Sequence, residues 1–194
     1  MKITAKLFAL SFFVATIATA FTTQAEDSSP KTTAAAQWND KDELLQPVNY
    51  REWIFVGTPL TPNDMNEGKA AFPEFHNVYI DPASWAEYKK TGKFPEGTVM
   101  VKELVSVGSK LAASGAGYFQ GEFIGLEAAV KSSAKHPKEP GNWGYYSFTQ
   151  LGKEPAKVTS IKATQSCNAC HQASAKQDYV FTQYYPVLRA ESKK

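Results

Sequence analysis

The sequence predicts an α+β domain built mainly from an antiparallel β-sheet with flanking helices. Short apolar segments of strand-like composition occupy most of the chain, whereas helical spacing of apolar residues dominates only residues 155–194. There is no internal repeat and no regular alternation of strands with helices. A parallel sheet requires that alternation, and a four-helix bundle requires helical periodicity throughout. We therefore expect a single domain with most strands first and most helices last.

The first predicted elements are two strands and one helix. Residues 53–56 form a short apolar run, and residues 58–63 contain two prolines that are typical of a loop. Residues 75–80 are predicted to form the second strand. Residues 81–82 combine an Asp at the N-cap with a Pro at the first helical position, and Gly92 is predicted to end this helix.

Longer strands and the remaining helices follow. Residues 98–107 and 118–126 have the alternating or continuous apolar patterns of strands, and the Gly, Ser and Ala residues of 109–117 predict a loop between them. Residues 143–149 predict a further, aromatic-rich strand. Apolar side chains at helical spacing in residues 180–188 predict that the chain ends in helical structure.

The first 25 residues are predicted to be an export signal. Lys2 and Lys6 make a basic start, residues 7–20 are apolar, and small residues precede a cleavage site after Ala25. The apolar stretch is shorter than the roughly 20 residues that a membrane span needs. We expect a soluble periplasmic protein without a membrane-inserted segment.

The exported chain is expected to consist of a flexible leader at residues 26–37 and one domain at residues 38–194. The leader is predicted from its small and polar residues. Removal of residues 1–25 takes away two lysines and no acidic residue, which leaves 19 basic and 19 acidic side chains. Because phosphate binding needs a basic surplus or patch, we expect no nucleic-acid partner.

The most informative motif is Cys-Asn-Ala-Cys-His at residues 167–171. On a helix, Cys167, Cys170 and His171 occupy positions i, i+3 and i+4 and project from one face. Two thiols can then attach a haem covalently while the imidazole binds its iron. A redox pair does not require the histidine, and a zinc site would need further ligands that a second cysteine cluster would provide. The motif therefore predicts one covalent c-type haem.

The position opposite His171 on the iron is predicted to be open. Only Met65 and Met100 remain after signal removal, and a methionine is the usual second ligand of a small electron-carrying cytochrome. Met65 lies in a predicted loop, and Met100 lies inside a strand where core packing is its usual role. An open iron binds small molecules.

Lys102 is the first candidate for a reactive side chain. Strand alternation places it on one face between Met100 and Leu104. Apolar surroundings disfavour the ammonium form and expose a nucleophilic lone pair. An edge-strand lysine whose amine reaches water would give the same pattern, so the residues alone leave both interpretations open.

Glu127 and His76 are the candidate bases. Alternation places Glu127 on a face with Phe123 and Gly125 that is otherwise apolar or open, which suits a proton acceptor, although glycines can introduce a bulge. His76 shares a strand face with apolar residues and could be a second base, an iron ligand or a hydrogen-bonded core residue. His136, in a loop of Lys, Pro and Ser, is expected to be solvated. Four aromatic residues are candidates for a pocket wall: Phe72, Phe75, Tyr118 and Tyr146.

Many segments in the same order resemble the cytochrome P460 family. These are residues 49–53, 56–58, 61–63, 78–79, 81–82, 97–99, 101–108, 117–119, 124–128, 139–143, 167–171, 180–182 and 185–189. The resemblance implies a mostly β, homodimeric, periplasmic c-haem protein that oxidises hydroxylamine and carries a lysine joined covalently to the porphyrin edge. The lysine in the matching Val-Lys-Glu-Leu-Val segment is Lys102.

Three functions follow as alternatives. The first is oxidation of hydroxylamine to nitrous oxide or nitric oxide at an open ferric haem, with electrons passed to an electron-accepting cytochrome. The second is binding of nitric oxide without turnover, as in the β form of cytochrome c prime. The third is simple electron transfer with Met65 or His76 as the sixth ligand. Lys102 distinguishes the first two, because a gas-binding protein needs no lysine on the ring.

Overall fold

The structure, a computed structural model, describes residues 35–191. These residues belong to one compact unit. The predicted signal and most of the predicted leader lie outside the described residues and stay predictions; Ala35 and Ala36 pack against the core. Within residues 35–191, no helix combines the length and the apolar character needed to cross a membrane.

The described residues contain nine strands, three α-helices and four short 3-10 helices. The strands are β1 (Leu44–Leu45), β2 (Ile54–Gly57), β3 (Phe75–Ile80), β4 (Val99–Val107), β5 (Leu111–Ala112), β6 (Gly115–Ala116), β7 (Gln120–Lys131), β8 (Trp143–Ser147) and β9 (Val158–Thr159). The α-helices are α1 (Pro82–Thr91), α2 (Asn168–Ser174) and α3 (Pro186–Glu191). The 3-10 helices are Tyr50–Glu52, Asn63–Met65, Pro140–Asn142 and Thr182–Tyr184.

Five strands form one antiparallel sheet in the order β2-β3-β4-β7-β8. This sheet, with one helix between its strands and two helices near the end of the chain, confirms the predicted α+β class. Two short pairs, β1 with β9 and β5 with β6, lie outside it. The β5–β6 pair falls in residues 109–117, where the sequence predicts only a loop.

Helix α1 forms as its capping residues predict. The Asp81 side chain accepts a hydrogen bond from the Ser84 backbone N–H at 2.9 Å, Pro82 begins the helix, and Gly92 ends it with a φ of 67°. The second carboxylate oxygen of Asp81 accepts a bond from the Val99 backbone N–H at 2.9 Å. One carboxylate therefore caps α1 and ties it to the start of β4.

The sheet buries a separate hydrophobic cluster on each face. Ile80, Met100, Ala129 and Tyr145 lie opposite one another across β3, β4, β7 and β8 and share what we call the helical face. Its cluster includes side chains from α1 and α3. The opposite face carries Val99, Val101, Leu126, Ala128, Val130 and Tyr146, covered by Leu44 and Tyr50. Because facing residues of paired strands point to the same side, this register decides which polar residues meet.

A buried carboxylate network supports the orientation of β4. Glu103 lies on the opposite face, where it accepts hydrogen bonds from the Tyr50 hydroxyl at 2.9 Å and from Arg51 Nε at 2.8 Å. Asn77 Nδ2 donates to the other Glu103 oxygen at 3.2 Å. Rotating Glu103 away would take this partner from the buried Tyr50 hydroxyl and the buried Asn77 amide. Its neighbour Lys102 is consequently held on the helical face.

His136 is buried, so the expectation that it is solvated is wrong. Only 3% of the residue is exposed, and its Nε2 lies 2.6 Å from the Tyr146 hydroxyl. Trp38 packs against both rings with centroid separations of 5.8 and 5.7 Å. Gly144 makes room for the imidazole, since a Cβ at that position would lie 2.4 Å from His136 Nε2. The polar composition of the loop around His136 gave no sign of this burial, because Trp38 and Tyr146, which surround the ring, are distant in the sequence.

Burial of His136 predicts a pH-dependent stability. Desolvation lowers the pKa of His136 below its usual value near 6.5. Above that value both the folded and the unfolded states hold a neutral imidazole. As the pH falls through 6.5 the unfolded state takes up a proton first, so the free energy of unfolding decreases until the folded-state pKa is reached.

We expect the free energy of unfolding to fall less between pH 7.5 and pH 5.5 in His136→Gln than in the parent protein. Urea unfolding at both pH values measures the difference. The slope that remains in His136→Gln comes from other titrating groups, including His76, whose pKa is also lowered by burial. An unchanged slope in His136→Gln would show that His136 takes up its proton equally in both states.

Candidate functional site

Helix α2 gathers the Cys-x-x-Cys-His motif on the helical side of β8. Cys167 stands at the N-cap, and Cys170 and His171 lie in the helix, so the spacing i, i+3, i+4 is realised. Both thiols are free. The fully buried Asn168 donates from Nδ2 to the Trp143 carbonyl at 2.7 Å, which fastens the helix to the sheet.

The His171 imidazole is held by two rings and one carbonyl. Its centroid lies 4.3 Å from that of Tyr145 and 4.6 Å from that of Phe181. Its Nδ1 donates to the Tyr179 carbonyl at 2.7 Å. Burial lowers the pKa of His171, which favours the neutral ring. A neutral ring whose Nδ1 carries the proton offers the Nε2 lone pair to a metal.

Lys102 and Glu127 form an ion pair on the helical face. Lys102 lies in the centre of β4, opposite Val78 of β3 and Glu127 of β7. Its Nζ is 2.7 Å from Glu127 Oε2, and the two side chains are 28% and 33% exposed. The amine also lies 5.5 Å from the centre of the Phe72 ring. The sheet thus brings a potential nucleophile into contact with a potential base.

The ion pair and the motif share one electrostatic environment. The Lys102 charge lowers the pKa of His171 and the Glu127 charge raises it, although both effects are smaller than that of burial. The packing agrees, because Met100, on the same face of β4 as Lys102, belongs to the cluster against which Cys167 packs. Residues from the middle of the sheet and from the end of the chain therefore face a common region.

His76 forms a second acid–base pair beside the first. Its Nε2 lies 3.4 Å from Glu74 Oε1, and their side chains are 17% and 14% exposed. Burial lowers the pKa of His76, as does the Lys102 charge to a smaller degree, while Glu74 and Glu127 raise it. The Phe72 ring centre is 6.1 Å from that of His76. Glu74 was not among the sequence candidates, although its position two residues before His76 was a usable signal.

Strand alternation places Glu127 correctly on the same face as Gly125 but is wrong for Phe123. Leu104 pairs with Gly125, whereas Val105 pairs with Phe123, so one residue of β7 is bulged out. The bulge moves Phe123 to the opposite face. Simple alternation across a glycine-containing strand fails for this reason.

The remaining candidates divide between the two faces. Of the proposed wall residues, Phe72 lies at the site, whereas Phe75 pairs with Val105 and Tyr146 contacts His136, both on the opposite face. Met100 is 6% exposed and belongs to the core, while Met65 is 74% exposed.

Three residues that contact His171 were not predicted from the sequence: Tyr145, Tyr179 and Phe181. The Tyr179 contribution is a backbone carbonyl, which no side-chain pattern reveals. Tyr145 comes from β8, and aromatic residues at strand spacing are more often part of a core. These three residues meet His171 only because the C-terminal part of the chain packs against the sheet.

The donor set fits a covalent haem. Two free thiols and a neutral imidazole with an available Nε2 stand on one helix, and a lysine amine paired with a carboxylate stands on the adjoining sheet. Thioether formation needs the thiols, and iron binding needs the imidazole.

Comparison with known proteins gives one family. The model of the family described as Cytochrome P460 matches residues 47–182, well over half of the chain and including every candidate residue named above. No curated protein matches the chain.

Proposed function

The chain belongs to the cytochrome P460 family, which is defined by a c-type haem with a lysine cross-link, and on this premise we propose that it oxidises hydroxylamine. The observation that carries the proposal is the Lys102–Glu127 contact of 2.7 Å on the face that also receives the haem-binding motif. A protein that only binds a gas needs neither group there. When bound, the haem supplies an iron that takes electrons from a nitrogenous substrate.

The residues that hold the haem are proposed to be Cys167, Cys170, His171 and Lys102. The two thiols form the attachments and His171 Nε2 binds the iron. Lys102 is proposed to provide the cross-link, because it is the lysine of the Val-Lys-Glu-Leu-Val segment that resembles the family and its amine lies on the helical face.

Glu127 is proposed as the base during turnover. Hydroxylamine loses protons as it loses electrons, and the Glu127 carboxylate beside Lys102 is proposed to take them up. His76, with Glu74 behind it, is a second acceptor whose burial favours the neutral ring that can take up a proton. Phe72 lies close to both groups, 5.5 Å from the Lys102 amine and 6.1 Å from the His76 ring centre.

The cellular setting is part of the proposal. We propose that residues 1–25 direct export to the periplasm, that the protein is a homodimer, and that an electron-accepting cytochrome receives the electrons. The products are proposed to be nitrous oxide, nitric oxide or both. Hydroxylamine and nitric oxide are the small-molecule ligands this function requires.

An anaerobic assay of the holo protein with hydroxylamine and an artificial oxidant tests the function. We expect consumption of the oxidant together with formation of nitrous oxide or nitric oxide. A haem protein that binds nitric oxide but leaves the oxidant unreduced would instead be the gas-binding alternative. A six-coordinate low-spin ferric spectrum would favour an electron carrier.

A further inference from the structure

The turn at residues 177–180 holds an unfavourable backbone conformation beside His171. Asp178 has a φ of 44° and Tyr179 a φ of 60°, so two consecutive non-glycine residues lie in the left-handed region. The Val180 backbone N–H closes the turn by donating to the Gln177 carbonyl at 2.8 Å. Such conformations persist only when the surrounding structure imposes them, and they are typical of functional sites.

An ion pair from the sheet holds the Asp178 side chain. Asp178 Oδ2 lies 2.5 Å from Lys131 Nζ, and the two side chains are only 27% and 17% exposed. The Trp143 indole N–H donates to Asp178 Oδ1 at 3.4 Å. Lys131 and Trp143 are themselves a register pair of β7 and β8. The turn is therefore attached to the end of the central sheet.

Two further contacts hold the residues on either side of Asp178. Gln177 Nε2 donates to the Gly92 carbonyl at 2.6 Å, which connects the turn to the end of α1. The Tyr179 ring lies against Gly141, where a Cβ would come within 2.3 Å of two ring carbons. The turn is thus restrained at three consecutive positions by residues distant in sequence.

The restrained group is the Tyr179 carbonyl. It accepts two hydrogen bonds, from His171 Nδ1 at 2.7 Å and from the Tyr145 hydroxyl at 3.2 Å. The groups that contact the imidazole are the Tyr145 and Phe181 rings and the Tyr179 carbonyl. Lys131 and Asp178 are not among them. Their effect on the ring must pass through the turn.

We propose that Lys131 and Asp178 are positioning residues that hold the Tyr179 carbonyl against His171 and so set the orientation and electron donation of the imidazole. This inference rests on the proposed function, since it takes His171 as the iron ligand. A hydrogen bond to a fixed carbonyl increases the donor strength of the imidazole, and partners of this kind tune metal sites. Strong donation favours the ferric iron and lowers its reduction potential.

The test compares two disrupting variants with two matched controls in the holo protein. Lys131→Met removes the cation, and Asp178→Gly removes the carboxylate while tolerating the left-handed backbone. Lys135→Met and Asp42→Gly are the controls, because Lys135 pairs with Asp42, which also has a positive φ of 58°, away from the site. Haem content, reduction potential and the iron–histidine vibration of the reduced protein are measured in each.

We expect both disrupting variants to keep their haem, to have a more positive potential and a lower vibrational frequency, and to turn over hydroxylamine roughly tenfold more slowly. The controls keep the parent values, and Lys131→Arg restores them by re-forming the ion pair. The inference would be overturned if both disrupting variants bind haem and keep the parent potential and the parent vibrational frequency. Equal shifts in the control variants would overturn it as well.

A failure of this positioning role can be distinguished from a failure of the proposed function. A parent protein that carries haem but does not oxidise hydroxylamine refutes the function and leaves the potential and frequency measurements decisive for the turn. A parent without His171 bound to iron refutes both. If Lys131→Met or Asp178→Gly fails to fold, Asp178→Asn carries the same comparison, because asparagine tolerates a positive φ and removes the charge.

Discussion

Lys102→Met is expected to keep its haem on Cys167 and Cys170 but to lose the cross-link and the larger part of its turnover. Methionine retains the length and apolar stem of lysine, so packing on the helical face is preserved. The amine alone is removed, and with it the tether that alters the ring electronically. We expect turnover with hydroxylamine to fall on the order of 100-fold, comparable with the loss of a group that tunes a metal site.

Proteolysis and mass spectrometry measure the cross-link directly. In the parent, the peptide containing residue 102 is expected to be joined to the haem peptide, whereas in Lys102→Met it is released. Lys135→Met is a closely matched control, since Lys135, like Lys102, pairs with a carboxylate and lies close to an aromatic ring, 5.4 Å from the ring centre of Trp38. Parent spectrum and turnover in Lys102→Met would assign the cross-link to another residue.

Glu127→Gln is expected to keep both the haem and the cross-link but to turn over hydroxylamine about 10²- to 10⁴-fold more slowly, the usual range for the loss of a general base. Glutamine retains the shape of the side chain and cannot take up the proton. The absorption spectrum should remain that of the parent, while the steady-state rate falls.

A carboxylate on the same strand gives the control for Glu127. Glu122 is an exposed residue of β7, and Glu122→Gln should have parent turnover. Glu127→Asp should recover part of the rate, since the carboxylate is kept at a shorter reach. Loss of the cross-link in Glu127→Gln would show that the carboxylate acts on Lys102 during maturation, and unchanged turnover would remove Glu127 from the mechanism.

The fold was predictable wherever local chemistry decides structure. Helix α1 could be bounded from Asp81, Pro82 and Gly92, because capping and termination depend on neighbouring residues. The extension of β7 to Lys131 was not predicted. Residues 127–131 include two alanines, which have low strand propensity, and pairing with β4 and β8 overrides that preference.

Some parts of the candidate site could be predicted from the sequence and others could not, for similar reasons. The Cys167, Cys170 and His171 set is a contiguous motif whose geometry follows from one helical turn. Placing Lys102 on a face required only strand alternation. The contact between Lys102 and Glu127 required the register of two strands, and the bulge near Phe123 shows how a single extra residue changes such a register.

The sequence by itself determined the haem-binding motif, the α+β class and the family, because these depend on residue types and spacings that persist in any conformation of the chain. The tertiary structure alone decided that Glu127 meets Lys102 and that the Tyr179 carbonyl receives the His171 ring. Each of these contacts joins groups whose approach is set by sheet register or by a strained turn. Spacing along the chain carries no information about either.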